Sequence, residues 1–118
     1  EDKLKSWTVV NLYNNIYERI NMPITFDNLH NKCNPSTLLD EEEAFEMAVS
    51  TWPDNIVPLF HFSESLAGKN PRAHADFPTF VPMVYSTYKK DLHLDFEFKH
   101  KESAINKISR KNLLTFDK

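Results

Sequence analysis

The chain has 118 residues, 41% of them apolar and 26% charged, with a formal net charge of −3. That is the size and make-up of one globular domain; it excludes a disordered tail, a bilayer span of about 18 apolar residues, and histone-like binding held by bulk positive charge. A single cysteine, Cys33, allows no internal disulfide, and the opening EDKLKSW has none of the marks of a signal peptide, so a reducing, intracellular setting is expected.

The predicted elements run as follows. SWTVVNLYNNIYERI (6–20) places Trp7, Val10, Tyr13, Tyr17 and Ile20 at helical spacing, with Ser6 as N-cap. MPITFD (22–27) reads as a short strand. DEEEAFEMAVSTW (40–52) is a second helix, in which Asp40 caps, Glu43 completes a capping box and the acids favour the positive helix end. IVPLFHF (56–62) is the second strand. FPTFVPMVYSTYKK (77–90) is a helix interrupted or begun at Pro82. HLDFEFK (93–99) is the third strand and KESAINKISRKNLL (101–114) a closing helix. The one glycine, Gly68, falls in the loop between His61 and His74, where a positive φ is best accommodated.

Helices and strands that alternate in this way imply an α/β fold with parallel strands covered by helices. Three parallel strands alone leave both edges open. The pattern is that of part of a (β/α)8 TIM barrel, about three βα units, whose open edges need the missing half of the barrel or self-association to cover them. The acidic run DEEEAFE and the basic tail from Lys99 to Lys118 read as solvated helix surface.

Polar residues gather at one end of these strands. In HLDFEFK, Leu94, Phe96 and Phe98 share one face, while His93, Asp95, Glu97 and Lys99 share the other. Taken alone, this is a surface strand with one wet face. But Asp27 also ends its strand, with His30 three residues later, and His61 shares a face with Val57 and Leu59 at the end of the second. In parallel α/β architecture, the carboxyl ends of strands are where binding and chemistry gather. Asp27, His30, His61, His74, Asp76 and Glu97 form a mixed carboxylate–imidazole set that suits Mn²⁺, Zn²⁺ or Fe²⁺. Burying so many ionisable groups without an ion would be costly. Lys69 and Arg72 beside them are candidate phosphate contacts. Ser63 and His61 make no nucleophilic triad, since no orienting acid is evident, and Cys33 reads as an incidental loop thiol.

Three blocks, FDNLHNKCNP, PLFHFSESLAGKNPRAHADF and LDFEFKHKESAI, resemble in order and spacing the carboxyl-terminal half of the UV damage endonucleases, the UvdE family. The resemblance runs from about residue 1 to 110, and the histidine, serine, glycine-bearing loop and NPRAHAD of the middle block are its most specific part. The family is similar to endonuclease IV within the xylose-isomerase-like barrels. It implies a metal-dependent DNA repair enzyme that nicks immediately 5′ to UV photoproducts in double-stranded DNA. It also implies a cluster of metals, usually manganese, at the strand ends. Carried onto this sequence, the resemblance makes Asp27, His61 and Glu97 ligands of a catalytic metal, and His30, His74 and Asp76 the set for a second. Two departures stand out. Leu59 occupies a position where the family often has lysine, and the family's first histidine ligands and a bridging glutamate belong to segments upstream of Glu1, so the chain is expected to be a fragment.

Two other readings remain open. A sugar isomerase or epimerase of the same barrel group would use one divalent metal and a catalytic lysine. A non-catalytic, truncated module would bind metal at best and need a partner chain to close its sheet.

Overall fold

A computed structural model describes residues 8–36, 39–66 and 73–99. Ser6, Gly68, Lys69, Arg72 and the closing helix expected at 101–114 lie outside the described residues. Among those described, no helix is long and apolar enough to cross a membrane.

The first helical segment begins later than its sequence predicts. Thr8 is the N-cap of α1 (Val9–Leu12), and its hydroxyl accepts the Asn11 N–H at 3.2 Å. The helix then widens into a π-helical stretch, Tyr13–Tyr17, and closes as α2 (Glu18–Ile20). Asn21 stops it at φ 56°, ψ 29°, a left-handed conformation that asparagine tolerates better than most residues.

The strand expected at 22–27 is reduced to a single parallel bridge, Asp27 to His61, with the His61 N–H on the Phe26 carbonyl at 2.9 Å. The reason lies in where the backbone groups go. Pro23 has no N–H to offer. The Ile24 N–H donates to Thr51 Oγ1 at 2.9 Å, and its carbonyl accepts the Trp52 indole N–H at 2.8 Å. Both are therefore satisfied by residues just past the acid-rich helix, Glu41–Ser50, and not by a neighbouring strand. Beyond Asp27 the chain enters a short helix that the sequence reading missed, α3 (Asn28–Cys33).

The acid-rich segment forms α4 (Glu41–Ser50) with the expected capping box. Asp40 Oδ1 accepts the Glu43 N–H at 2.8 Å, and Glu43 Oε1 accepts the Asp40 N–H at 3.1 Å. Its inner face carries Ala44, Phe45 and Ala48, all buried.

β1 (Leu59–Phe62) and β2 (His93–Phe96) form a parallel two-stranded sheet, in register Leu59–His93, Phe60–Leu94, His61–Asp95 and Phe62–Phe96. The fold is thus α/β with parallel pairing, and the Asp27 segment, β1 and β2 lie side by side in chain order. The crossover between β1 and β2 contains α5 (Met83–Thr87), much shorter than 77–90. Pro78 and Pro82 keep the preceding residues out of helix, and Pro82 is the N-cap.

Aromatic side chains fill the space between sheet and helices. Phe26, Phe60, Phe62 and Tyr85 are wholly buried, and Phe45 and Phe98 nearly so. Phe45 meets Phe26 at 5.6 Å and Phe60 at 5.5 Å, both edge-to-face, and Phe62 meets Phe98 at 5.1 Å. Each such pair contributes about 0.5–1.5 kcal/mol beyond its buried area. Alternation then fixes the opposite face: with Phe60 and Phe62 inward, Leu59 and His61 must point the other way. Leu59 is 45% exposed there.

Candidate metal centre

Three side chains converge at the carboxyl ends of these neighbouring segments. One oxygen of Asp27, one nitrogen of His61 and one oxygen of Glu97 all lie within 4.8 Å of one another. Among the described residues this is the group able to hold a metal ion.

Each is delivered by a different backbone device. Asp27 is extended (φ −128°, ψ 118°) and is the N-cap of α3, so its Oδ1 accepts the N–H groups of Leu29 and His30, both at 2.9 Å. Ser63 Oγ approaches the same oxygen at 3.4 Å. With Oδ1 occupied, Oδ2 is left for the site. His61 lies on the open face of β1. Its Nδ1 is 3.6 Å from Asp27 Oδ2 and 3.3 Å from Glu97 Oε1, while Nε2 is 3.9 Å from Asp95 Oδ2. Glu97 follows β2 and is held by its N–H on the Phe62 carbonyl at 2.9 Å.

The charges in this arrangement are unbalanced. Asp27 Oδ2 is buried and meets no hydrogen-bond donor. Burial holds the Glu97 carboxyl above its ordinary range; charge on His61 opposes this, the adjacent Asp27 carboxylate adds to it, and His74 opposes it more weakly. Two carboxylates and an imidazole, with one carboxylate oxygen buried and unsatisfied, are a donor set that a divalent cation would complete. The residues present therefore fit such an ion.

Two of the other expected site residues lie near this group, His30 in a shared cavity and His74 by its electrostatic effect on Glu97. His30 lines a cavity of about 590 Å³ together with Asp27, His61, Asn31 and Asn34, walled on the far side by Val9, Leu12, Ile16 and Met22. His74 stands at the foot of the loop after β1, where it bridges Ser65 in antiparallel fashion. That foot is closed by Leu66 N–H on the Ala73 carbonyl and Ala75 N–H on the Glu64 carbonyl, both 2.8 Å. Asp76 is half-buried two residues further on and is not in the Asp27–His61–Glu97 group. Lys69 and Arg72 belong to the part of that loop outside the described residues.

Two supporting residues had no signal in the sequence. The Tyr85 hydroxyl donates to the His61 carbonyl at 2.5 Å, from beneath the sheet. Burial pushes its own ionisation well above the usual tyrosine range, and the Asp27 charge adds to that. Asn28 joins α3 to β1: its Nδ2 donates to the Ser63 carbonyl at 2.7 Å and its Oδ1 accepts the Ser63 N–H at 2.9 Å. Both contacts are long-range in sequence, so no periodicity reports them.

Known proteins share the sequence family and the fold of this chain. The family model described as UV-endonuclease UvdE matches residues 1–118. The crystal structure of SacUVDE superposes on 97% of this chain with a TM-score of 0.72 and 23% sequence identity, a likeness of fold. This chain spans 39% of that one. No curated protein matches the sequence. With its whole length matched by one family, and with that family's fold, the chain belongs to the UV-endonuclease UvdE family.

Proposed function

We propose that this chain supplies the metal-holding strand ends of a DNA repair endonuclease that hydrolyses the phosphodiester 5′ to UV photoproducts, on a (β/α)8 TIM barrel of which residues 1–118 are the carboxyl-terminal part. The single observation that carries the reading is the convergence of Asp27, His61 and Glu97 around an unsatisfied buried carboxylate oxygen, in a chain of this family. Asp27, His61 and Glu97 would hold the ion, Mn²⁺ with Zn²⁺ as the alternative. A divalent cation there would supply Lewis acidity toward a phosphate oxygen and lower the pKa of water toward neutral pH.

The chain's own residues do the positioning. The two N–H groups on Asp27 Oδ1 fix the direction of Oδ2. Tyr85 anchors the backbone of His61, so the imidazole stays at the strand end. The aromatic core under the sheet excludes water from that side. His30, His74 and Asp76 are the set for a second ion. Lys69 and Arg72 bind the phosphates of the damaged strand, giving affinity without sequence preference. A lesion needs no base-specific contact, because a distorted duplex is cheaper to unstack.

The open sheet face with Leu59, and the cavity beside Asp27, need a covering layer, and the remaining strands of a barrel supply one. The isomerase alternative would need a catalytic lysine; among the described residues, the open face of β1 and β2 presents Leu59, His61, His93 and Asp95.

The test is incision of a duplex that carries one photoproduct. The full-length protein that contains this chain, with Mn²⁺, is expected to cut immediately 5′ to the lesion and leave a 3′-hydroxyl, and EDTA or His61→Ala is expected to abolish the cut. Cutting that survives both would contradict the assignment, as would an intact lesion strand under Mn²⁺.

A further inference from the structure

Asp27 and His61 come from segments that share very little backbone pairing. The ladder between them is the one parallel bridge Asp27–His61, with the His61 N–H on the Phe26 carbonyl. Past Asp27 the chain coils into α3, so its backbone no longer runs beside β1. The residue just past β1, Ser63, is wholly buried and its backbone groups need partners. Both of its backbone groups are met by one side chain, the amide of Asn28, which is itself 6% exposed.

A primary amide carries the same donor and acceptor as a peptide group. Asn28 therefore continues the ladder one step after the backbone has left it. We propose that Asn28 is a positioning residue for the cation site: its amide pins the end of β1 to the first turn of α3 and so sets the spacing between Asp27 Oδ2 and His61 Nδ1. This deepens the metal reading above and rests on it.

The geometry favours that role over plain stabilisation. Asp27 Oδ2 and His61 Nδ1 stand 3.6 Å apart, beyond a good hydrogen bond, so the two ligands do not hold each other. The path Asp27–Asn28, across the amide to Ser63, and back through Phe62 to His61 joins them by one residue on one side and two on the other. Without that link the Asp27 segment would be tied to the end of β1 by the Asp27–His61 bridge and the 3.4 Å approach of Ser63 Oγ to Asp27 Oδ1. Metal sites need their supporting contacts as well as their ligands, and loss of such a contact typically lowers affinity about 10–100-fold.

The experiment is calorimetric titration of Mn²⁺ into the full chain, Asn28→Ala and Thr51→Ala, each below its melting transition. Thr51 is the control: its hydroxyl accepts the Ile24 N–H at 2.9 Å and donates to the Ala48 carbonyl at 2.6 Å, a buried pair at the far end of the same segment. Asn28→Ala is expected to bind Mn²⁺ about 10–100-fold more weakly, and Thr51→Ala as tightly as the unsubstituted chain. Unchanged binding by Asn28→Ala, or equal loss in Thr51→Ala, overturns the proposal. Should Asn28→Ala fail to fold, Asn28→Asp decides. It keeps the acceptor for the Ser63 N–H but turns an oxygen against the Ser63 carbonyl. The added negative charge alone would tighten cation binding, whereas the proposal expects weaker binding; tighter or unchanged binding overturns it. Absence of Mn²⁺ binding by the unsubstituted chain refutes instead the metal reading on which this role depends.

Discussion

Asp27 performs two separable tasks with its two oxygens, and substitution can divide them. Oδ1 caps α3 through the Leu29 and His30 N–H groups, while Oδ2 is buried without a donor beside Glu97. Asparagine caps a helix as well as aspartate does, so Asp27→Asn retains the first task and loses the charge needed for the second. In the metal-free chain it also removes repulsion between two carboxylates and places an N–H₂ donor toward Glu97. Its stability is therefore expected to equal or exceed that of the parent. Asp27→Ala loses the cap and is expected to cost about 1–2 kcal/mol. Mn²⁺ at one hundred times its dissociation constant stabilises a folded binder by about 2.7 kcal/mol. For a domain of this length that is a rise in Tm of about 10 °C. Thermal unfolding followed by circular dichroism, with and without Mn²⁺, reads both effects. The parent should show the rise, and neither variant should. A full Mn²⁺-dependent rise in Asp27→Asn would refute the role of Oδ2, and a metal-free Tm as low as that of Asp27→Ala would refute the role of Oδ1.

Other substitutions test neighbouring parts of the account. Tyr85→Phe keeps the core shape but removes the donor to the His61 carbonyl, and urea unfolding should show a loss of about 1–2 kcal/mol. Phe45→Ala opens the aromatic cluster around Phe26 and Phe60 and should cost about 3–5 kcal/mol in the same assay. Asp40→Ala removes the capping box, whose two bonds run between Asp40 and Glu43; a loss of about 1 kcal/mol with unchanged Mn²⁺ affinity is expected. Lys69→Ala and Arg72→Ala should weaken duplex binding in fluorescence anisotropy, and each should lower the slope of log K against log salt by about 0.9.

Local rules recovered much of the architecture. The capping box at the start of EEEAFE needs only Asp40 and Glu43 three positions apart, and it forms as expected. Strand alternation placed His61 and Asp95 opposite the phenylalanines, and the parallel register bears this out. What stayed hidden depends on distant partners. The MPITFD segment has the composition of a strand, yet Ile24 gives its backbone groups to Thr51 and Trp52, residues remote in sequence. Asp27 was read as a strand end and is at once an N-cap, because the same extended backbone serves both purposes. Asn28 and Tyr85 carry no periodic or motif signal, and their roles arise only when α3, α5 and β1 meet. Of the six candidate ligands, the geometry groups Asp27, His61 and Glu97, while His30 lines the adjoining cavity and His74 and Asp76 are not in that group.

The most direct test of the central claim is the metal content of the purified chain and of His61→Ala, measured by mass spectrometry after dialysis against Mn²⁺ and Zn²⁺. The account predicts near-stoichiometric metal in the first and its loss in the second, because the His61 nitrogen stands between the two carboxylates that would hold the ion. A metal-free parent chain, or equal metal in both proteins, would contradict it.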